Sequence, residues 1–260
     1  MRLLATLTFF SLFAPGCTRD VGVGPVADQS VVTAAIAAWN QRLGAVRDFA
    51  VEGEVSDVSS KQKLRFRYAM QQPTFSAGEL LDGSGARTRA FVFDGKVLAI
   101  IDDSTKTVVR QEAAEEEQML LALHEIFSQF VCEGWRPPLI KPQGSTGVRD
   151  GDQLVLTVPI VDHKLQSQRL TLNADGSFVK KEILDKNGIV VANTTVLDTF
   201  VDAATRLSFP KSWSYSEGGS TQTLTLTKTA VNQGVDAERF STAVPTGFSM
   251  RTQPQPEVRP

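Results

Sequence analysis

The chain has 260 residues, with 27 Lys and Arg against 29 Asp and Glu, a formal net charge of −2 and 42% hydrophobic residues. A near-neutral balance without a basic stripe or aromatic–basic interleaving argues against nucleic acid as a partner. Two cysteines, Cys17 and Cys132, limit the chain to one disulfide at most.

Met1 and a single basic residue, Arg2, precede Leu3 to Phe13, a run with no charged side chain. It is much shorter than the about 20 apolar residues of a transmembrane helix, so it reads as the core of a signal peptide. Ala14, Pro15 and Gly16 follow, and then Cys17. This ending resembles the lipobox of bacterial lipoproteins, in which the cysteine after the cleavage point carries diacylglycerol. The resemblance implies a signal at 1–16, lipid attachment at Cys17 and a membrane anchor. With Thr18 next, in place of the aspartate that retains enterobacterial lipoproteins in the inner membrane, it implies an outer-membrane location with the domain in the periplasm. An ordinary secretory signal that happens to precede a cysteine is the alternative. Cleavage leaves 244 residues, and since only Arg2 is lost from the charges, 26 basic stand against 29 acidic. An acylated Cys17 leaves Cys132, beside Phe130 and Val131, as a buried free thiol; without acylation a disulfide between the two is open.

Residues 17–27 read as a flexible tether, aperiodic and containing Gly and Pro. From Asp28 a helix is expected to run to about Arg47, because Ile36, Trp39, Leu43 and Val46 recur at three- and four-residue steps. The period then drops to two over residues 49–56, 63–70, 74–81, 87–93, 96–102 and 106–110, with Asp94–Gly95 as a tight hairpin turn. At Gln111 the period becomes helical again. A second helix is expected over 112–133, acidic in its first turns and apolar later through Met119, Leu120, Leu123, Ile126, Phe127 and Phe130. Gly134 and Pro137–Pro138 end it. Residues 142–152 read as a loop. Strand patterns resume at 153–161, 166–172, 178–184, 189–200, a short piece near Leu207, 212–217 and 221–229, and Asp236 to Phe240 fits one helical turn. Residues 251–260, with three prolines, read as a disordered tail after a domain spanning 28–250.

About ten or eleven strands joined by short turns predict an antiparallel meander rather than βαβ units. Several strands offer one apolar face: Leu64, Phe66, Tyr68 and Met70 stand against Arg65 and Arg67, and Leu154, Leu156, Val158 and Ile160 stand against Gln153 and Thr157. One large curved sheet wrapped around an inserted helix seats the wide apolar face of 112–133. A two-sheet sandwich is the competitor and leaves that helix without a seat.

Two stretches carry a resemblance to a known superfamily. Phe93–Asp94–Gly95–Lys96, running into VLAIIDDSTKTVVR, resembles the strand–DG–strand segment of the Lol-type lipoprotein carriers and receptors, the LolA/LolB-like domains. In VNQGVDAERFSTAVPTGFSM, Val231, Asn232, Asp236, Phe240, Pro245 and Gly247 resemble the segment that closes those domains. The resemblance implies a mainly β fold: a half-open antiparallel β-barrel with helices covering its concave face. It implies acyl chains of lipids or lipoproteins as ligands, and a periplasmic carrier protein as a possible partner. Phe66, Tyr68, Phe91 and Phe93 on strands, with Met119, Leu120, Leu123, Phe127 and Phe130 on the second helix, are then the candidate cavity lining. The same residues also fit a filled core, as in a structural or assembly lipoprotein with a protein-binding surface.

Catalytic and cofactor patterns are missing from the sequence. His124–Glu125 has no second histidine four residues on, and with His163 as the only other histidine a zinc site is not expected. There is no G-x-S-x-G elbow, P-loop or dinucleotide fingerprint. The expectation is a binding protein without cofactor or metal, not an enzyme.

Overall fold

The computed structural model describes residues 25–58, 63–72, 74–112, 135, 140–160 and 165–252. Helix α1, Gln29–Gly44, buries Val32, Ile36 and Trp39, which are spaced by four and three residues and form one stripe. It stops three residues short of Arg47, and the chain turns directly into the sheet.

Six strands follow as a meander: β1 (Asp48–Asp57), β2 (Lys63–Gln71), β3 (Phe75–Leu81), β4 (Arg87–Asp94), β5 (Val97–Asp102) and β6 (Thr107–Glu112). A second meander comprises β7 (Thr146–Asp150), β8 (Gln153–Pro159), β9 (Leu165–Leu172), β10 (Phe178–Asp185), β11 (Val190–Val201), β12 (Ser208–Glu217) and β13 (Ser220–Val231). β14 (Ser249–Thr252) ends the order. β13 pairs with β1, Phe49 opposite Val231, and so joins the two meanders into one 14-stranded sheet ordered β14-β6-β5-β4-β3-β2-β1-β13-β12-β11-β10-β9-β8-β7. Neighbours are antiparallel except β14 beside β6, which are parallel.

Four expectations are corrected here. Among the described residues the strands number fourteen, not ten or eleven. Residues 142–152 are not all loop, since Thr146–Asp150 form β7. The sixth strand runs through Gln111 to Glu112, where a helix had been expected to begin. The piece near Leu207 and the strand at 212–217 are one strand, β12, continuing through Pro210. Pro210 is tolerated because the ladder to β13 begins only at Ser212, and β11 is bulged opposite it. Described pairing also reaches past 28–250 at both ends. Val26 bridges to Val148 and caps the β7 edge, and β14 includes Arg251 and Thr252.

The sheet curls, so that side chains from distant strands meet on its inner face. The main core holds Phe49, Val51 and Val55 of β1 together with Leu156, Leu170, Phe178, Phe209, Trp213 and Leu224 from the second meander, with α1 packed among them. A smaller cluster lies on the outer face. There Ala50, Ala69, Ala77, Val92 and Ala99 stand opposite one another in register across β1 to β5. This low row leaves room for the segment after β13, whose Val235, Phe240 and Phe248 pack upon it. A 3₁₀ turn forms at Ala237–Phe240, where a helical turn was expected, with the Asp236 carboxylate accepting from the Glu238 N–H.

Candidate functional site

Alternation along β2 and β4 decides what reaches the inner face. Phe66, Tyr68 and Met70 point inward while Arg67 lies outside in an ion-pair chain with Glu52 and Glu79. On β4, Phe93 is fully buried and Phe91 half-buried on the inner face, while Ala90 and Val92 face outward. Gly53 of β1 stands opposite Phe66, and the Phe66 ring fills the space a side chain there would take. Four of the expected cavity residues, Phe66, Tyr68, Phe91 and Phe93, therefore share one apolar wall. Met119, Leu120, Leu123, Phe127 and Phe130 lie outside the described residues, as do Cys17, Cys132, His124 and His163.

The contacts of α1 place it over the other half of the sheet. Val32 packs against Gly147 of β7, Trp39 lies 6.1 Å from the Phe178 ring of β10, and the Arg42 guanidinium sits 5.6 Å above the Phe209 ring of β12. Among the described residues, no helix covers the inner face of β2 to β5. Asn40 ties α1 to the returning chain, its amide donating to the Ile140 carbonyl and accepting from the Ile140 N–H.

Trp135 fills the centre of the inner face between these halves. Its ring lies 4.8 Å from Phe209, 5.2 Å from Phe49 and 5.7 Å from Phe200, and its indole N–H donates to the Pro210 carbonyl at 2.6 Å. Sequence reading missed Trp135, Phe49, Phe178, Phe200 and Phe209. The available signal was a tryptophan in a Gly- and Pro-rich passage, where an aromatic side chain is more readily explained by a tertiary seat than by local structure.

Among the described residues, two polar groups in this apolar setting have no hydrogen-bond partner. They are the Trp39 Nε1–H and the Arg42 Nη2, both atoms buried. Each such group costs about 1–3 kcal/mol if nothing accepts from it. Burial pushes the Arg42 pKa down from its ordinary value, and the nearby Asp175 carboxylate works against that shift. Asp175 itself is held below the usual carboxylate range. Burial would raise it, but the Ser177 hydroxyl and N–H and the Arg42 charge prevail.

Among the described residues, the outer face shows only a small crevice. A crevice of about 100 Å³ lies beside the 3₁₀ turn, lined by Ala77, Val92, Glu79, Arg87 and Arg239. That is far below the about 300–1,000 Å³ of a small-molecule pocket. Among the described residues, no three His, Cys, Asp or Glu side chains gather as a metal site.

No family model matches the sequence, and no curated protein matches it. Solved structures do match in fold. A LolA-superfamily protein from Nitrosomonas europaea is similar with a TM-score of 0.54 at 12% identity, covering 81% of this chain and 97% of that one. A candidate outer-membrane lipoprotein-sorting domain from Vibrio parahaemolyticus gives 0.54 at 11% identity, over 80% of this chain and 97% of that one. A DUF1329-family protein from Desulfovibrio piger gives 0.57 at 9%, over 81% and 97%. The chain thus has a LolA/LolB-like fold: a curled, open antiparallel sheet with a helix against its inner face.

Proposed function

We propose that this is a membrane-anchored periplasmic protein that holds acyl chains of lipids or lipoproteins on its inner face, for transfer or insertion at the outer membrane. The carrying observation is the wall formed by Phe66, Tyr68, Phe91 and Phe93, which share the inner face of β2 and β4. Aromatic surface of this kind takes up chains of varied shape without demanding polar partners. The LolA/LolB-like fold supports the same reading, and a carrier needs no catalytic group. Co-purified lipid, identified by mass spectrometry, and binding of a fluorescent fatty acid by the delipidated protein test it. Phe91→Ser is expected to weaken probe binding about tenfold while shifting the urea midpoint little, because Phe91 is only half-buried. Wild-type protein that carries no lipid and binds no probe would overturn the reading. A structural or assembly lipoprotein would then lead, which the filling of the central inner face by Trp135 favours.

The anchor is assigned to Cys17 on the sequence Ala-Pro-Gly-Cys. Cys17→Ser is expected to move the protein from the membrane fraction to the soluble one, or to block its processing. Metabolic labelling with a palmitate analogue checks it, and unlabelled wild-type protein would end the assignment.

A further inference from the structure

Most buried polar groups around the inner face are satisfied by the fold itself. Trp135 Nε1 has the Pro210 carbonyl, and Asn40 has both polar groups of the Ile140 backbone. On the same helix, one residue before and two after Asn40, Trp39 Nε1 and Arg42 Nη2 are buried with no acceptor among the described residues. Residues three apart on a helix share a face, so Trp39 and Arg42 lie on the same side of α1, the first against Phe178 and the second over Phe209. The rings beneath them, Phe178 and Phe209, stand at the starts of β10 and β12 and offer no lone pair. Trp39 is 1% exposed, so water does not relieve its N–H. Asp175, in the turn before β10, acts on Arg42 through space and is itself occupied by the Ser177 hydroxyl and N–H.

We propose that Trp39 Nε1 and Arg42 Nη2 form a headgroup site for an anionic amphiphile, whose carboxylate or phosphate oxygens accept from both while its chain lies along the inner face. This rests on the acyl-binding reading above and adds a polarity to it. The ligand's oxyanion sits at the end of α1, and its hydrocarbon runs along the inner face past Trp135. The oxyanion's oxygens satisfy two donors that the described residues leave open, and the half-buried guanidinium supplies a charge-assisted bond. The guanidinium carbon lies 5.6 Å from the centre of the Phe209 ring, within cation–π reach.

The test compares cis-parinaric acid with its methyl ester, titrated into delipidated full-length mature protein. Wild type is expected to bind the acid about tenfold more tightly than the ester, the difference of one charge-assisted hydrogen bond. Arg42→Met is expected to abolish that preference and leave ester affinity unchanged, which also shows that the variant is folded. Trp39→Phe keeps a ring on Phe178 and is expected to lose part of the preference; it replaces the methionine variant if that chain does not fold. Displacement of the probe by oleate, against 1-oleoyl lysophosphatidate, tells a carboxylate head from a phosphate head, and preference for either supports the site. Equal wild-type affinity for acid and ester, or a preference that survives in Arg42→Met, overturns the headgroup site while the acyl-binding reading stands. If wild type binds neither probe, both fall.

Discussion

Gly53 shows how one residue shapes the inner wall. A Cβ built there would lie 2.7 Å from the Thr225 backbone carbonyl and 2.8 Å from the Phe66 ring. The backbone cannot move cheaply, and β1 is already bulged against β13 between Glu52 and Gly53. Gly53→Ala is therefore expected to lower stability by about 1–3 kcal/mol, measured by urea unfolding. In a Phe66→Leu background the same change is expected to cost less, because one of the two close approaches is gone. Asn232 has a different role. Its backbone sits at φ 54°, in the left-handed region that asparagine tolerates. Its side chain accepts from the Arg47 N–H at 2.7 Å and donates to the Ala45 carbonyl at 2.7 Å. It stitches the end of β13 to the turn between α1 and β1, which gives this asparagine of the closing motif a physical reason.

At the scale of elements, the segment after β13 acts as a strap across the outer face. Phe240 is 4% exposed and packs 5.6 Å from the Phe75 ring; the Thr242 hydroxyl donates to Asp94 at 2.7 Å; and β14 pairs with the β6 edge. The strap depends on the floor beneath it. Alanines in register across β1, β2, β3 and β5 keep that floor low, and larger side chains would lift the segment away. Phe240→Ala is expected to cost about 3–5 kcal/mol, since it empties a ring-sized space in a small cluster. Glu238→Ala, on the exposed side of the same turn, is expected to stay within about 0.5 kcal/mol. Thermal unfolding of the two variants side by side checks the pair. Equal effects would mean that the strap does not pack as described.

For the whole molecule, the hairpins carry a pH dependence. Several turns begin with an aspartate whose carboxylate accepts from the residues after it: Asp82 from Ser84 and Ala86, Asp102 from Ser104 and Thr105, and Asp94 from Lys96 and Val97. These bonds hold the Asp82 and Asp102 carboxyls below their ordinary pKa. They do the same for Asp94, against an opposing push from burial, and the Arg89 guanidinium adds to the effect on Asp102. A folded pKa below the unfolded one contributes stability that is present above the unfolded value and lost as the pH falls through the folded one. The melting temperature is thus expected to be level above about pH 5 and to drop progressively below about pH 4, the ordinary aspartate value. Thermal scans from pH 7 to pH 2.5 check it. Asp102→Asn is expected to shallow the acid limb, and a profile unchanged by acid would contradict the turn chemistry.

The sequence by itself determined the local chemistry. Two-residue alternation in KLRFRYAM and RTRAFVF put Phe66, Tyr68, Phe91 and Phe93 on one face, Asp94–Gly95 set a tight turn, and DAERF fitted one helical turn, because each depends on near neighbours alone. Such patterns say which residues share a face but not which face meets which. Joining the two meanders through β13 and β1 requires pairing Phe49 with Val231, far apart in the chain, and no local period encodes that. β7 escaped notice because it is short and its alternation is broken by Gly147 and charged residues, and β14 because it is short and held by a distant partner, Ser249 by Thr107. Trp135 and Arg42 likewise gained meaning only when curling brought Phe209 to both. Tertiary structure alone decided that an arginine in the last turn of α1 faces an aromatic ring with an N–H unpaired among the described residues, because that outcome needs three segments to converge.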